Sequence, residues 1–200
     1  MRRAGRPTET TPQQWTQAAL DEIESAGVSD LAVESVARRL GVSKGGFYHH
    51  FADRRALLRA ALALWEQQSV TDLAARFDAI GDPRARLHAL LHHAAVEMEP
   101  TIIVKLMAAD GDPDVARALA RAADGRLDLL RAIFRELGHT PATARHRALL
   151  AYTSYLGLAE LRTQVPDALA TAARTRAYLT DVEATLLHDI PAYALGSSHS

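Results

Sequence analysis

Residues 33–51 read VESVARRLGVSKGGFYHHF. Val36, Ala37 and Leu40 fall at i, i+1 and i+4, the spacing of one apolar face on a short helix. Gly41 follows at once, and a glycine there can take the positive φ that ends a helix sharply. Ser43 then stands where an N-cap opens a second helix. In that helix Phe47 and Phe51 recur at i, i+4 and can face the first one. Two short helices, a glycine-containing turn and a small Ala37 where the helices cross describe a helix-turn-helix.

The second helix is built at a cost. Gly45 and Gly46 each lose roughly 1 kcal/mol relative to alanine inside a helix. Missing side chains let another surface come close, and a DNA backbone is such a surface. Between the core positions stand Ser43, Lys44, Tyr48, His49 and His50, all hydrogen-bond donors of the kind that phosphates and base edges need.

The stretch GVSKGGFYHHFADRRALL, residues 41–58, resembles the DNA-binding signature of the TetR family of bacterial repressors. That pattern runs G-V-S-x-x-x-[LF]-Y-x-H-F-x-x-[KR]-x-x-L, and Ala18, Ala19, Gly27, Val36 and Ala37 fall at the same family's spacing. The motif-level likeness covers about the first 60 residues of this chain. It implies an all-α fold, with an N-terminal three-helix helix-turn-helix domain and a C-terminal helical bundle for ligand binding and dimerisation. Lys44, Gly45 and His49 would then face base edges, and Ser43, Tyr48, His50 and Arg54 would hold phosphates. Three positions depart from the pattern. Ala32 and Gly46 stand where the family often has threonine, and Arg54 replaces the usual lysine while keeping its charge.

Composition fits this reading. The chain has 200 residues, 48% hydrophobic and 24% charged, as a folded globular protein should. Cysteine is absent, which excludes a disulfide framework, a cysteine-based zinc site and a cysteine nucleophile. The N-terminus MRRAGRPTETTPQQW has no apolar core for a signal peptide, and no apolar run nears the about 18 residues of a membrane span. A cytoplasmic location is expected. Net charge is −1, yet residues 1–64 carry 9 Lys+Arg against 7 Asp+Glu while residues 65–200 carry 14 against 17. Local clusters at Arg2, Arg3, Arg6 and at Lys44, Arg54, Arg55 are the stronger electrostatic signal.

Four segments are expected in order. Residues 1–11 form a flexible basic arm able to enter a minor groove. Residues 12–60 form the helix-turn-helix domain, opened by a helix from Pro12 to Ala26 with Thr11 as N-cap and Gly27 as stop. Residues 61–193 form the ligand-binding and dimerisation domain, and 194–200 a disordered tail. Asp53 caps a helix that begins near Arg54, ends near Ile80 and joins the two domains. Segments 83–98, 102–109, 113–137, 142–165 and 167–188 then read as bundle helices punctuated by Gly and Pro.

Trp65, His88, His92, Met107, Phe134, Tyr152 and Tyr155 are the expected pocket residues, with Phe77 and Met98 as further large side chains in the region. Leu149, Leu156 and Ala159 of one helix, with Gly157 permitting close approach, and Tyr178, Val182 and Leu186 of another are the expected dimer surface. His88 and His92 at i, i+4 supply two ligands where a metal needs more, so no metal site is expected. Asp110, Asp112 and Asp114 alternate like calcium ligands without the later glutamate, and a turn with a helix cap explains them better. No cofactor motif and no catalytic set emerges. The resemblance to the TetR family therefore implies a homodimeric transcriptional regulator, a repressor that binds a palindromic double-stranded operator and releases it on binding a small molecule, with no membrane partner. The rival reading is a DNA-binding regulator whose C-terminal bundle binds a protein instead.

Overall fold

Thr11 and Gln14 close a reciprocal cap on the first helix. The Thr11 hydroxyl accepts the Gln14 N–H, and the Gln14 side chain accepts the Thr11 N–H at 2.8 Å. With Pro12 pre-set at the first position, this starts α1 (Pro12–Ala26), which Gly27 ends at φ 98°. The computed structural model describes residues 10–97, 101–109, 111–169 and 171–188, and every regular element among them is helical. Arg2, Arg3, Arg6, Met98, Asp110 and the tail from 194 lie outside the described residues.

Helix α2 (Val33–Leu40) starts from Ala32, which has no side-chain cap to offer, and stops at Gly41 in the left-handed region, φ 68°. The expected second helix of the motif starts at Ser43 but is a 3-10 helix, Lys44–His49, and the Ser43 hydroxyl makes no cap bond. Adjacent glycines weaken the α-helical alternative, and a run of 6 residues is the length at which 3-10 geometry competes. Asp53 then caps α3 (Arg54–Glu66), its carboxylate accepting the Ala56 N–H at 2.7 Å.

The helical run continues beyond α3 through a π turn, Gln67–Asp72, into α4 (Leu73–Asp78). The sequence reads one uninterrupted helix here and gives no sign of the π turn. Widening the turn leaves the Ser69 carbonyl for Arg126, whose Nε donates to it at 3.1 Å. The bundle follows as α5 (Pro83–His92), α6 (Thr101–Met107), α7 (Pro113–Glu136), α8 (Pro141–Gln164) and α9 (Ala172–Leu187). Asp82, Asp112, Thr140 and Thr171 cap α5, α7, α8 and α9 through their side chains. The expected helix over 167–188 is divided, because Thr171 restarts the chain after a short 3-10 turn at Pro166–Leu169. Buried Arg147 of α8 donates to the Leu186 and His188 carbonyls, which closes the C-terminal end of α9.

Two apolar cores result. The first packs Trp15, Ile23, Val36, Phe47, Leu57 and Trp65 against Ile103, Leu106, Val115 and Ala118. The second holds Phe77, Leu87, Leu130, Phe134, Ala148 and Leu186. Tyr155 and Leu156 pack against both. The first core therefore extends past residue 60 and recruits α6 and the first half of α7. A side chain as large as Trp15 or Phe47, fully buried here, stabilises the fold by about 2–3 kcal/mol.

The expected dimer stripe needs correction. Ala159 and Leu186 are buried, Leu156 is packed into the cores, and Tyr178 and Val182 are half-buried walls of a cavity. Of the six, only Leu149 is exposed, at 51%. Helix α8 is apolar on two sides, and the stripe picked from spacing is mostly the side that faces inward. The outward side carries Leu149, Leu150, Thr153, Gly157 and Leu161.

Candidate nucleic-acid interface

Phe47 anchors the 3-10 helix. Its fully buried ring meets Trp15 edge-on at 5.5 Å and stacks with Phe51 at 5.7 Å. Ala37 is buried in the same cluster, and its single methyl lets α2 and the 3-10 helix approach. With about three residues per turn, Gly45 and Tyr48 share one edge of the helix. That edge faces outward: Gly45 is exposed, and the Tyr48 ring is 59% exposed while held edge-on against Phe47 at 5.1 Å. Ser43, Lys44 and His49 are exposed beside it, and His50 is half-buried.

The two glycines are not required by contacts inside the chain. A methyl added at Gly45 would meet only the Ser43 hydroxyl at 3.7 Å, and one at Gly46 only the Trp15 ring at 4.0 Å. Neither residue has a positive φ. Their smallness leaves room on the outside instead.

The cations around this edge are already engaged. Lys44 is ion-paired with Glu34 of α2 at 2.5 Å. That bond raises the Lys44 pKa and holds the Glu34 carboxyl below its ordinary value. Arg39 of α2 pairs with Glu22 of α1 at 3.0 Å, which pulls the Glu22 carboxyl down against the effect of burial. Arg54, expected to hold phosphate, is exposed and is bonded within the chain as well. Its Nε donates to the Leu31 carbonyl at 2.5 Å and a second nitrogen to the Val28 carbonyl at 2.6 Å. Two of its donors thus tie α3 to the turn between α1 and α2. Arg55 is turned away to Asp114 at the start of α7, at 2.6 Å. Sequence reading missed Glu34 as the partner of Lys44; their separation of ten positions across the Gly41 turn was the available signal.

The expected pocket set is divided by the structure. Tyr152 and Tyr155 do line a cavity of about 50 Å³, together with Leu73, Leu90, Leu91, Ala94, Arg126, Leu129, Leu130 and Ala151. His88 is not there: its ring is exposed and its Nδ1 bonds Glu183 at 2.7 Å. Met107 is 47% exposed at the end of α6. Phe134 and Trp65 are core residues, and His92 lies beside His88 at 6.3 Å between rings without lining the cavity. Large side chains are placed by the apolar stripes of their helices, and histidines on α5 fall between the stripes. Among the described residues no group of three or more His, Cys, Asp or Glu side chains could hold a metal ion.

Sequence reading also missed Arg126. It sits four residues after Ala122 and four before Leu130, in the buried stripe of α7, and a lone arginine in such a stripe was the available signal.

Residues 16–61 match the family described as bacterial regulatory proteins, tetR family. The chain is 30% identical over 159 residues to the HTH-type transcriptional regulator BetI of Stenotrophomonas maltophilia, covering 73% of this chain and 79% of that protein. Other curated relatives match over less: the chain covers 40% and 29% of the length of the first two. A transcriptional regulator from Rhodococcus sp. Rha1 is similar in structure, with a TM-score of 0.71 at 26% identity over 89% of this chain and 96% of that one. The fold is shared with FadR from Bacillus subtilis, solved in complex with stearoyl-CoA, at a TM-score of 0.68 and 14% identity over 90% of this chain and 100% of that one.

Proposed function

The chain belongs to the tetR family of bacterial regulatory proteins, so it is a DNA-binding transcriptional regulator and not an enzyme, and from that premise we propose that it is a homodimeric repressor. Its 3-10 helix would lie in the major groove of an operator, and a small molecule in the C-terminal bundle would release it. The observation that carries this reading is the outward edge of Gly45 and Tyr48. It is open to an incoming duplex, flanked by Lys44 and His49, and held rigid by buried Phe47.

In this reading residues 12–60 are the reading head and 61–193 the ligand-binding and dimerisation domain. Lys44, Gly45 and His49 face base edges; Ser43, Tyr48 and His50 hold phosphates. Arg54 supports that set by fixing the turn that orients α2. One short reading helix buries too little to select an operator alone, and a two-fold dimer places two of them about one DNA turn apart. The exposed α8 side with Leu149, Leu150, Thr153, Gly157 and Leu161 is the contact surface proposed for the second copy. The protein would act in the cytoplasm, where operator DNA lies; no helix among the described residues is long and apolar enough to cross a membrane.

The test is fluorescence-anisotropy titration of promoter fragments from the source genome at several salt concentrations. Log K should fall linearly with log salt for the wild type. Tyr48→Ala should weaken binding on every sequence, and Gly45→Ala should weaken operator binding without lowering the melting temperature. If Tyr48→Ala binds as tightly as wild type, or no fragment shows salt-sensitive binding, the reading fails.

A further inference from the structure

Arg126 of α7 is buried, with 6% of its surface exposed, and no carboxylate pairs with it among the described residues. Its Nε is used by the Ser69 carbonyl, and its guanidinium lies 5.7 Å from the Trp65 ring centre and 5.4 Å from that of Tyr155. Among the described residues its Nη1 makes no hydrogen bond of good geometry, and the buried Tyr155 hydroxyl has no neighbour to bond but the Arg126 guanidinium beside it, so its own O–H finds no acceptor. Both residues line the same cavity, whose other walls are apolar: Leu90, Leu91, Leu129 and Leu130 among them.

Such an arrangement is expensive for a chain that folds around nothing. An arginine stays charged at any physiological pH, and a buried charge without a counter-charge is strongly destabilising. Aromatic faces offset part of this. Nη1 and the Tyr155 O–H lack an acceptor among the described residues, and packing does not explain this, since buried donors are almost always paired.

Resting on the reading of this chain as a ligand-responsive regulator, we propose that the cavity recognises an organic monoanion, a carboxylate carried on an apolar chain or ring. Both donor atoms are covered in the empty cavity; once the side chains turn toward the ligand, one carboxylate oxygen takes the N–H of Arg126 Nη1 and the other the O–H of Tyr155. A single positive charge and two free donor groups match a carboxylate, whereas a phosphate monoester brings more charge and more acceptors than the cavity can satisfy. At about 50 Å³ the space holds three or four water-sized groups, which suits the head group. The apolar part lies among the leucines of α5 and α7. A second small space beyond Tyr155, lined by Leu158, Tyr178, Leu179 and Val182, continues the same apolar path. The site is also placed to signal. Arg126 holds the π turn through Ser69, and that turn joins α3 of the reading head to α4. An anion drawing on Nη1 shifts the guanidinium that grips this turn.

Isothermal titration of the full chain with decanoate, 1-naphthoate, decanol, decyltrimethylammonium and decyl phosphate tests the assignment. At least one of the two carboxylates should bind about tenfold or more tightly than the alcohol and the cation. Tyr155→Phe removes one hydroxyl and keeps the ring against Arg126, so it should melt close to wild type and weaken the carboxylate several-fold. Arg126→Gln should abolish binding, but its packing role makes Tyr155→Phe the decisive variant. The assignment is overturned if neither carboxylate binds, if decanol, the cation or decyl phosphate binds as well, or if Tyr155→Phe binds like wild type. Operator binding is measured without any probe, so a failure of DNA recognition and a failure of this ligand class are read apart.

Discussion

Arg55 of α3 donates through Nε to Oδ2 of Asp114 at 2.6 Å, joining the first turn of α3 to the first turn of α7. Asp114 is buried and also receives Arg117, with Arg59 at 3.9 Å. The Arg55 bond is the main reason its carboxyl titrates below the ordinary value of 3.8; burial works the other way and Arg117 adds to the lowering. Because the folded value is depressed, the stabilisation is complete above the unfolded value and is lost as pH falls through the folded one. Asp114→Asn should therefore melt below wild type at pH 7. The gap should persist down to about pH 5 and narrow progressively below about pH 4. Thermal melts of both proteins from pH 7 to pH 3 check this, and a gap that does not change with pH removes Asp114 as the titrating group.

Arg54 and Tyr48 should separate stability from binding. Arg54 makes two charge-assisted bonds to main-chain carbonyls, each worth about 1.5–3 kcal/mol when lost. Arg54→Ala should lower the melting temperature by roughly 5–10 °C. Arg54→Lys should recover little, since an ammonium lacks the planar fork that reaches Val28 and Leu31 together. Tyr48→Ala, by contrast, removes an exposed ring and should melt within about 2 °C of wild type while losing DNA affinity. Equal melting of all three variants would show that Arg54 is not a brace.

This contrast also marks where the sequence could be read and where it could not. Thr11 with Pro12, Gly27, Gly41 and Asp53 were legible because a cap is decided by residues within one turn of it. Phe47 and Phe51 were legible because helical spacing put both on one side. The fate of Arg54 was not, since its partners Val28 and Leu31 lie 26 and 23 positions back and are main-chain atoms with no sequence signature. The inward and outward sides of α8 and of α9 look alike in a list of Leu, Ala and Tyr, so spacing does not show that Ala159 of α8 and Leu186 of α9 face inward. His88 was drawn to the pocket by its type, while its real partner, Glu183, sits 95 positions away.

Glu34 should restrain DNA binding. In the free protein it holds Lys44 in an exposed ion pair, so a phosphate must replace a carboxylate to use that charge. Glu34→Gln frees the ammonium and removes one negative charge beside the duplex. Affinity for any DNA should rise about two- to fivefold near 0.1 M salt. Lys44→Ala should reduce the steepness of log K against log salt by about 1 and relax base preference. Anisotropy titrations at four salt concentrations give both numbers. Unchanged affinity in Glu34→Gln would mean that Lys44 stays away from DNA.

Gly125 should prove to be a contact and not a flexible point. It lies inside α7, where alanine would ordinarily add about 1 kcal/mol of helix stability. Here a methyl would stand 2.5 Å from Cγ1 of Val70 and 3.3 Å from Cγ2. Val70 is β-branched and sits on the π turn, so it cannot swing clear without leaving its rotamer. Gly125→Ala should therefore destabilise the fold by about 1–3 kcal/mol. Val70→Ala alone should also destabilise, through lost packing, by about 1–2 kcal/mol. Together the two changes should cost less than their sum by about 1 kcal/mol or more, because each relieves the other. Urea unfolding of the four proteins in the cycle measures that coupling. Strict additivity would mean that Val70 and Gly125 do not touch, and the π turn would then need another explanation than the close seat it finds on α7.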